Sequence, residues 1–334
     1  MSKEPSSKRR RTDDDTDNFT QSQDLWFSDG TLIVICESTG FRVHPGVLAL
    51  HCGAFKDMLS VGDPSGDHVK DGAAVVKLGD TADEMALFLK TLYFREEGPM
   101  RARMVVDQLG SLLRLARKYL ADRLEKEIME HLTLLFPSTL NNYRSSRRAS
   151  LIPSPFLPHD AVGIALDLNI PILLPMALYL SARMGSESED REYPILKDAP
   201  SNVIRAIMVF RERYSRGIYE RSLASKWLSM RDVCCSRHED CAGFTKKVFY
   251  QTLERYRALE VDIFKKEGSR RLFLSGTGMV CEDCVQKFQP DAFTLRLWTS
   301  LPNCCMNHDW QTWSDVSSAQ DTADGVPQVS VAAE

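Results

Sequence analysis

The spacing of apolar residues changes character along the chain. In the stretch Phe27 to Ser60 it is strand-like at first. Thr31 to Cys36 is apolar and β-branched, Glu37-Ser38-Thr39-Gly40 is a turn signal, and Phe41 to His44 is a second short strand, which predicts a β-hairpin. Pro45 suits the first turn of a helix, and Val47, Leu48, Leu50 and then Phe55, Met58, Leu59 supply the apolar faces of two short helices. Val75 to Leu78 reads as a further strand. Beyond it the spacing becomes helical. Thr81-Ala82-Asp83-Glu84 has the form of a capping box, and Met85, Phe88, Leu89 and Leu92 share one face of the helix that Tyr93-Phe94 ends. Leu112 to Tyr119 and then Leu124, Ile128, Leu132 and Leu135 continue the three-to-four spacing.

The polar stretches between these elements suggest boundaries. Residues 1–24 have almost no apolar anchors and are expected to be disordered. Residues 25–132 form a first domain, 133–158 a Ser-, Arg- and Pro-rich linker, 159–315 a helical domain containing most of the cysteines, and 316–334 a loose tail. Within the second domain, Ala161–Leu168 and Ile172–Arg183 predict two short helices joined at Asn169-Ile170-Pro171. Asn202–Tyr214, with Val203, Ile207 and Phe210 on one face, and Lys246–Lys266 predict two more. The fold class expected is α+β: a small sheet flanked by short helices, then a mostly α-helical C-terminal domain.

The order of elements in 25–132, with His44 at a strand end, Phe55 in the second helix and Leu112-Leu113-Arg114-Leu115-Ala116-Arg117-Lys118-Tyr119 downstream, resembles a BTB/POZ domain. The whole layout is similar to fungal BTB proteins with a helical C-terminal half. The resemblance implies a protein-interaction module, with self-association through the first helix and the sheet edge, or binding to a cullin scaffold, as its expected partnerships. It makes His44, Phe55 and Tyr119 the fold-defining residues. It places dimer contacts at Trp26 to Thr31, including Trp26 and Asp29. Cullin contacts would fall on the helices Met85 to Phe94 and Met104 to Tyr119, where Asp83, Lys90 and Arg114 are the candidate solvent-facing residues. The residue after His44 is Pro45, where the corepressor-binding members of the family carry a basic residue.

Composition adds constraints. The chain has 334 residues, 26% of them charged, and a net charge of −4, so no global field favours nucleic acid. The start lacks the apolar stretch of a secretory signal. The most apolar window, Ala161 to Leu180, is broken by Asn169 and Pro171 and reads as a buried helical hairpin, not a membrane span. Lys8-Arg9-Arg10-Arg11 is a basic cluster that an import receptor could read, or simply a solvated charge run. A cytoplasmic or nuclear location is expected.

Nine cysteines in such a chain are expected to be reduced. Cys281-x-x-Cys284 has the form of a zinc knuckle, with Cys234 and Cys241 as the candidate second pair. Cys235, His238, Cys304, Cys305 and His308 are further options. The other reading is that these are buried thiols packing as small hydrophobes, with no cofactor at all. Trp298, Trp310 and Trp313 are expected to pack a small C-terminal core. No P-loop, G-x-S-x-G or H-E-x-x-H is present, and no nucleophile, base and acid can be grouped by spacing, so an enzyme is not expected. Two functions remain: an interaction scaffold, with a cullin-type ubiquitin-ligase adaptor as its specific form, and a nuclear transcription-associated regulator with a zinc-stabilised C-terminal region.

Overall fold

The computed structural model describes residues 19–61, 69–94, 103–184, 199–223, 259, 262–265, 290–306 and 308–325. The fold is mixed α+β, with a five-stranded sheet at the N-terminal side and a mostly helical remainder. The chain divides into two units, one of residues 1–102 and 111–128, the other of 103–110 and 129–334.

In the first unit the sheet order is β1-β3-β2-β5-β4, built from β1 (Thr20–Trp26), β2 (Leu32–Cys36), β3 (Thr39–Val43), β4 (Val69–Lys70) and β5 (Ala73–Leu78). The central strand β2 is buried on both faces. It pairs antiparallel with β3 and parallel with β5. Cys36 lies opposite Thr39, so the hairpin loop is only Glu37-Ser38, two residues shorter than the expected turn. Glu37 adopts a left-handed backbone, φ 51°. Its carboxylate accepts the N–H of Ala82 at 3.0 Å, satisfying a donor at the start of the next helix.

On one sheet face Ile33, Ile35 and Ala73 form a small core closed by Phe19, Trp26 and Val75. Gly40 makes that closure feasible, because a Cβ there would meet the Phe19 ring at 2.3 Å. The N-terminal stretch to residue 24 was expected to be disordered. Instead Thr20–Trp26 is an edge strand, paired parallel with β3, with Leu25 buried.

Short helices α1 (Pro45–His51) and α2 (Gly53–Val61) follow the hairpin as the pattern predicts, but Leu50, expected on the apolar face, is exposed, and Leu48 is the buried residue of α1. Helix α3 (Ala82–Tyr93) is capped by Thr81, whose side chain accepts the N–H of Glu84. The box is only half formed, since the Glu84 carboxylate instead binds Arg114 at 2.9 Å. Helices α4 (Val106–Lys118) and α5 (Asp122–Leu135) are amphipathic. Phe55 stacks on Tyr119 at 4.8 Å and Phe88 lies 5.7 Å from the same ring, while the Tyr119 hydroxyl donates to Asp80.

The 133–158 linker is a misreading. It holds the end of α5, then α6 (Leu140–Tyr143) and α7 (Ser146–Leu151), capped by Thr139 and Ser145, with Leu140, Tyr143 and Arg148 buried. Its polar composition reflects caps and one buried cation rather than a solvated tether. Helices α8 (Pro158–Asp167) and α9 (Leu174–Met184), joined by a 3-10 turn at Pro171–Leu173, form the expected hairpin, and α9 is almost wholly buried. Helix α10 runs Ser201–Leu223, longer than the pattern predicts, with Val203, Ile207 and Phe210 buried.

The helix expected over Lys246–Lys266 falls mostly outside the described residues, and 262–265 is a turn. Trp298, on α11 (Pro290–Thr299), packs on Tyr143 and Phe264 and stacks with Trp313, so these two tryptophans join a core reaching back to α6. The expected loose tail begins as a helix, α12 (Trp313–Ala323), closed by a Thr312/Asp315 capping box. The α12 residue Gln320 accepts the N–H of Ile172 at 3.1 Å.

Among the described residues no helix is long and apolar enough to cross a membrane.

Candidate interaction surface

Three chain segments of the first unit converge on the His44 ring. The backbone N–H of His44 donates to the Tyr93 hydroxyl at 2.8 Å, and that hydroxyl lies 3.2 Å from Nδ1 of the same His44. With Nδ1 accepting the phenol proton, the ring proton sits on Nε2, which faces Asp29 Oδ1 at 3.2 Å. Phe27 stacks on Tyr93 at 4.9 Å and leans on His44 at 5.1 Å. The cluster therefore ties the β1–β2 connection to the start of α1 and the end of α3.

In outline, carboxylate, imidazole and hydroxyl follow one another as in a hydrolytic relay. The electrostatics differ. Burial raises the Tyr93 pKa, which keeps its proton in place. Asp29 is 80% exposed, and the hydrogen bond from His44 holds its carboxyl below the usual range. An exposed anion donated to by Nε2 orients the ring as a brace.

The expected contact residues have different fates. Trp26 is half-buried against the Ile33/Ile35 face. Lys90 pairs with Asp24 at 2.6 Å, which fastens α3 to β1. Arg114 binds Glu84 and the Ser111 hydroxyl. Burial raises the Glu84 pKa, but Arg114, Ser111 and Thr81 outweigh it and the net shift is downward. Asp83 is exposed in the first turn of α3. Of this set, Asp29 alone joins the His44 cluster. The sequence reading missed Tyr93 as the partner of His44, and Phe27 and Asp24. The near-adjacent aromatics Phe27 and Tyr93 carried no spacing signal, being 66 residues apart.

Sequence reasoning also missed two exposed leucines close to the α1–α2 junction. Gly53 and Ala54 donate their N–H groups to the carbonyls of Leu120 (3.0 Å) and Tyr119 (3.2 Å), which sets Leu120 beside the start of α2. Leu120 is 54% exposed, and Leu50, three residues before Gly53, is 78% exposed. Leu120 closes α4 in a left-handed conformation, φ 53°, with Ala121 N–H donating to Ala116 O at 2.8 Å. That position favours glycine.

Among the described residues no group of three or more His, Cys, Asp and Glu is placed to hold a metal ion. The candidate ligands Cys234, Cys241, Cys281 and Cys284 lie outside the described residues, as do Lys8, Arg9, Arg10 and Arg11. Cys304 and Cys305 are buried and form no disulfide among the described residues, and burial pushes the Cys305 thiol well above its usual value. His308 stacks on Trp310 with ring centroids 3.7 Å apart. Compared with protein-family models, curated proteins and solved structures, the chain matches none.

Proposed function

We propose that the protein is a non-catalytic interaction scaffold whose N-terminal unit is of BTB/POZ type and docks protein partners at the α1–α2 junction. One observation carries this reading: two exposed leucines flank that junction, and one of them, Leu120, occupies a backbone conformation that glycine would fill at lower energy. The Leu120 side chain lies against Gly53 on one side and leaves more than half of its surface exposed. A partner docked there would cover it. In the BTB family the first helix is where self-association occurs, and Leu50 lies on α1. The succession of hairpin, two short helices, a strand parallel to the hairpin's first strand, and then α3 is in keeping with the same assignment.

The test is sedimentation of the full chain together with affinity capture from its own cells. The wild type should sediment as a dimer, and Leu50→Asp and Leu120→Asp should be monomeric and folded by circular dichroism. Recovery of a cullin with its RING partner, lost in Asp83→Arg, would specify the adaptor form. A monomeric wild type whose captured proteins are the same with and without the two leucines would overturn the scaffold reading.

A further inference from the structure

The second unit contains a cavity of about 640 Å³, lined by α6, α7, the segment leading to α8, the end of α9 and the turn at 262–265. That volume lies within the range of small-molecule sites, roughly 300–1,000 Å³. Its described lining brings Arg144, Arg148, Arg183 and Lys265 together against the single carboxylate of Asp262.

That carboxylate is already committed. Its Oδ2 accepts from the Tyr143 hydroxyl (2.7 Å) and Arg183 (3.2 Å), and its Oδ1 from the Tyr179 hydroxyl (3.1 Å) and the Phe264 N–H (3.3 Å). Arg148 is therefore left in an unusual state. Only 5% of it is exposed, yet no carboxylate lies within ion-pair distance among the described residues. Its Nε donates to Leu135 O at 2.9 Å and its guanidinium lies 4.4 Å from the centre of the Tyr143 ring. These contacts orient the fork without neutralising it. A buried cation of this kind is costly unless an anion accompanies it. Burial lowers its pKa, and the nearby Tyr143 and Asp262 offset that shift only in part.

The lining also carries apolar side chains, Ile152, Phe156, Leu180 and Met184. Lys265 stands exposed at the rim. We propose that this cavity binds a small organic phosphate monoester, its phosphate held by Arg148 and Lys265 and its apolar body against Ile152, Phe156 and Leu180. A phosphate fits better than a carboxylate because a dianion meets more than one cation, and a guanidinium presents a planar fork to phosphate oxygens. The site is independent of the docking surface at α1–α2 and stands if that reading fails.

Calorimetric titration of the full chain tests this with three probes: phenyl phosphate, inorganic phosphate and benzoate. Phenyl phosphate should bind saturably at one site, about tenfold tighter than either other probe. Arg148→Gln should weaken it by at least about a hundredfold, and Lys265→Gln by about tenfold. Since Arg148 also anchors to Leu135, its variant is required to keep the wild-type melting temperature within a few degrees. If it does not, Lys265→Gln, at an exposed position, decides alone. No saturable heat with phenyl phosphate, or unchanged affinity in Lys265→Gln, would overturn the site. Equal binding of inorganic phosphate would overturn the apolar body, and tighter binding of benzoate the phosphate.

Discussion

At the scale of single residues, two left-handed positions show opposite economies. Glu37 accepts its backbone strain and returns a hydrogen bond, because its carboxylate caps Ala82 at the head of α3. Glu37→Ala keeps the strain and loses the bond, so it should destabilise the first unit by about 1 kcal/mol, measurable by urea denaturation. Leu120 has the strain but no such return. Its backbone hydrogen bonds close α4 and hold α2, and a glycine would make them equally well. Leu120→Gly should therefore raise stability by about 1 kcal/mol while weakening self-association, if the exposed leucine serves a partner. A variant that gains stability and keeps its dimer would separate the strain argument from the docking argument and remove the support Leu120 lends to the latter.

At the scale of elements, the hairpin is the part whose disruption the chain tolerates least. Leu32 and Val34 are buried in β2, the strand with neighbours on both sides. Val34→Asp places a carboxylate there without a partner, a cost of several kcal/mol by the usual scale for an unpaired buried charge, roughly. Loss of the cooperative unfolding transition is the expected result. These central elements were legible in the sequence because their apolar residues repeat at strand or helix spacing and are buried locally. The missed elements share another property, that their burial is supplied from far along the chain. In β1 only Leu25 is fully buried, so TQSQDLW carries no alternation to read. In α7 the buried residue is Arg148, and no hydropathy pattern announces an arginine as core. In α12 the buried pair is Val316 and Gln320, and the readable signal was the cap, Thr312 with Asp315 three residues on. The Asp71-Gly72 turn, with both residues at positive φ, closes a two-residue hairpin between β4 and β5 that the Asp-Gly pair makes readable. The exposure of Leu50 was not legible, since it depends on which face of α1 the unit leaves uncovered.

At the scale of the whole molecule, the response to acid should have separable stages. Asp29 and Glu84 are held below the usual carboxylate range by hydrogen bonds and nearby cations. Each contributes stability that is fully present above its unfolded pKa, near 4, and is lost only as the pH falls through the lower folded value. His131 acts in a different window. It is fully buried in α5, neither ring nitrogen has a partner among the described residues, and burial lowers its pKa from 6.5. As the pH falls through about 6.5 the unfolded chain takes up a proton at this residue more readily than the folded chain. Stability is therefore greatest above 6.5 and declines as the pH falls from there toward the folded pKa. His131→Leu removes both the titration and two unsatisfied buried nitrogens. It should be more stable than wild type by about 1 kcal/mol at pH 7.5, and the advantage should grow at pH 5.5, where the carboxylates still make their full contribution. Urea titrations of both proteins at the two pH values measure the difference directly. An advantage that is the same at both would mean that the imidazole takes up a proton in the folded chain as readily as in the unfolded one, so that α5 gives it more access to water than its burial allows.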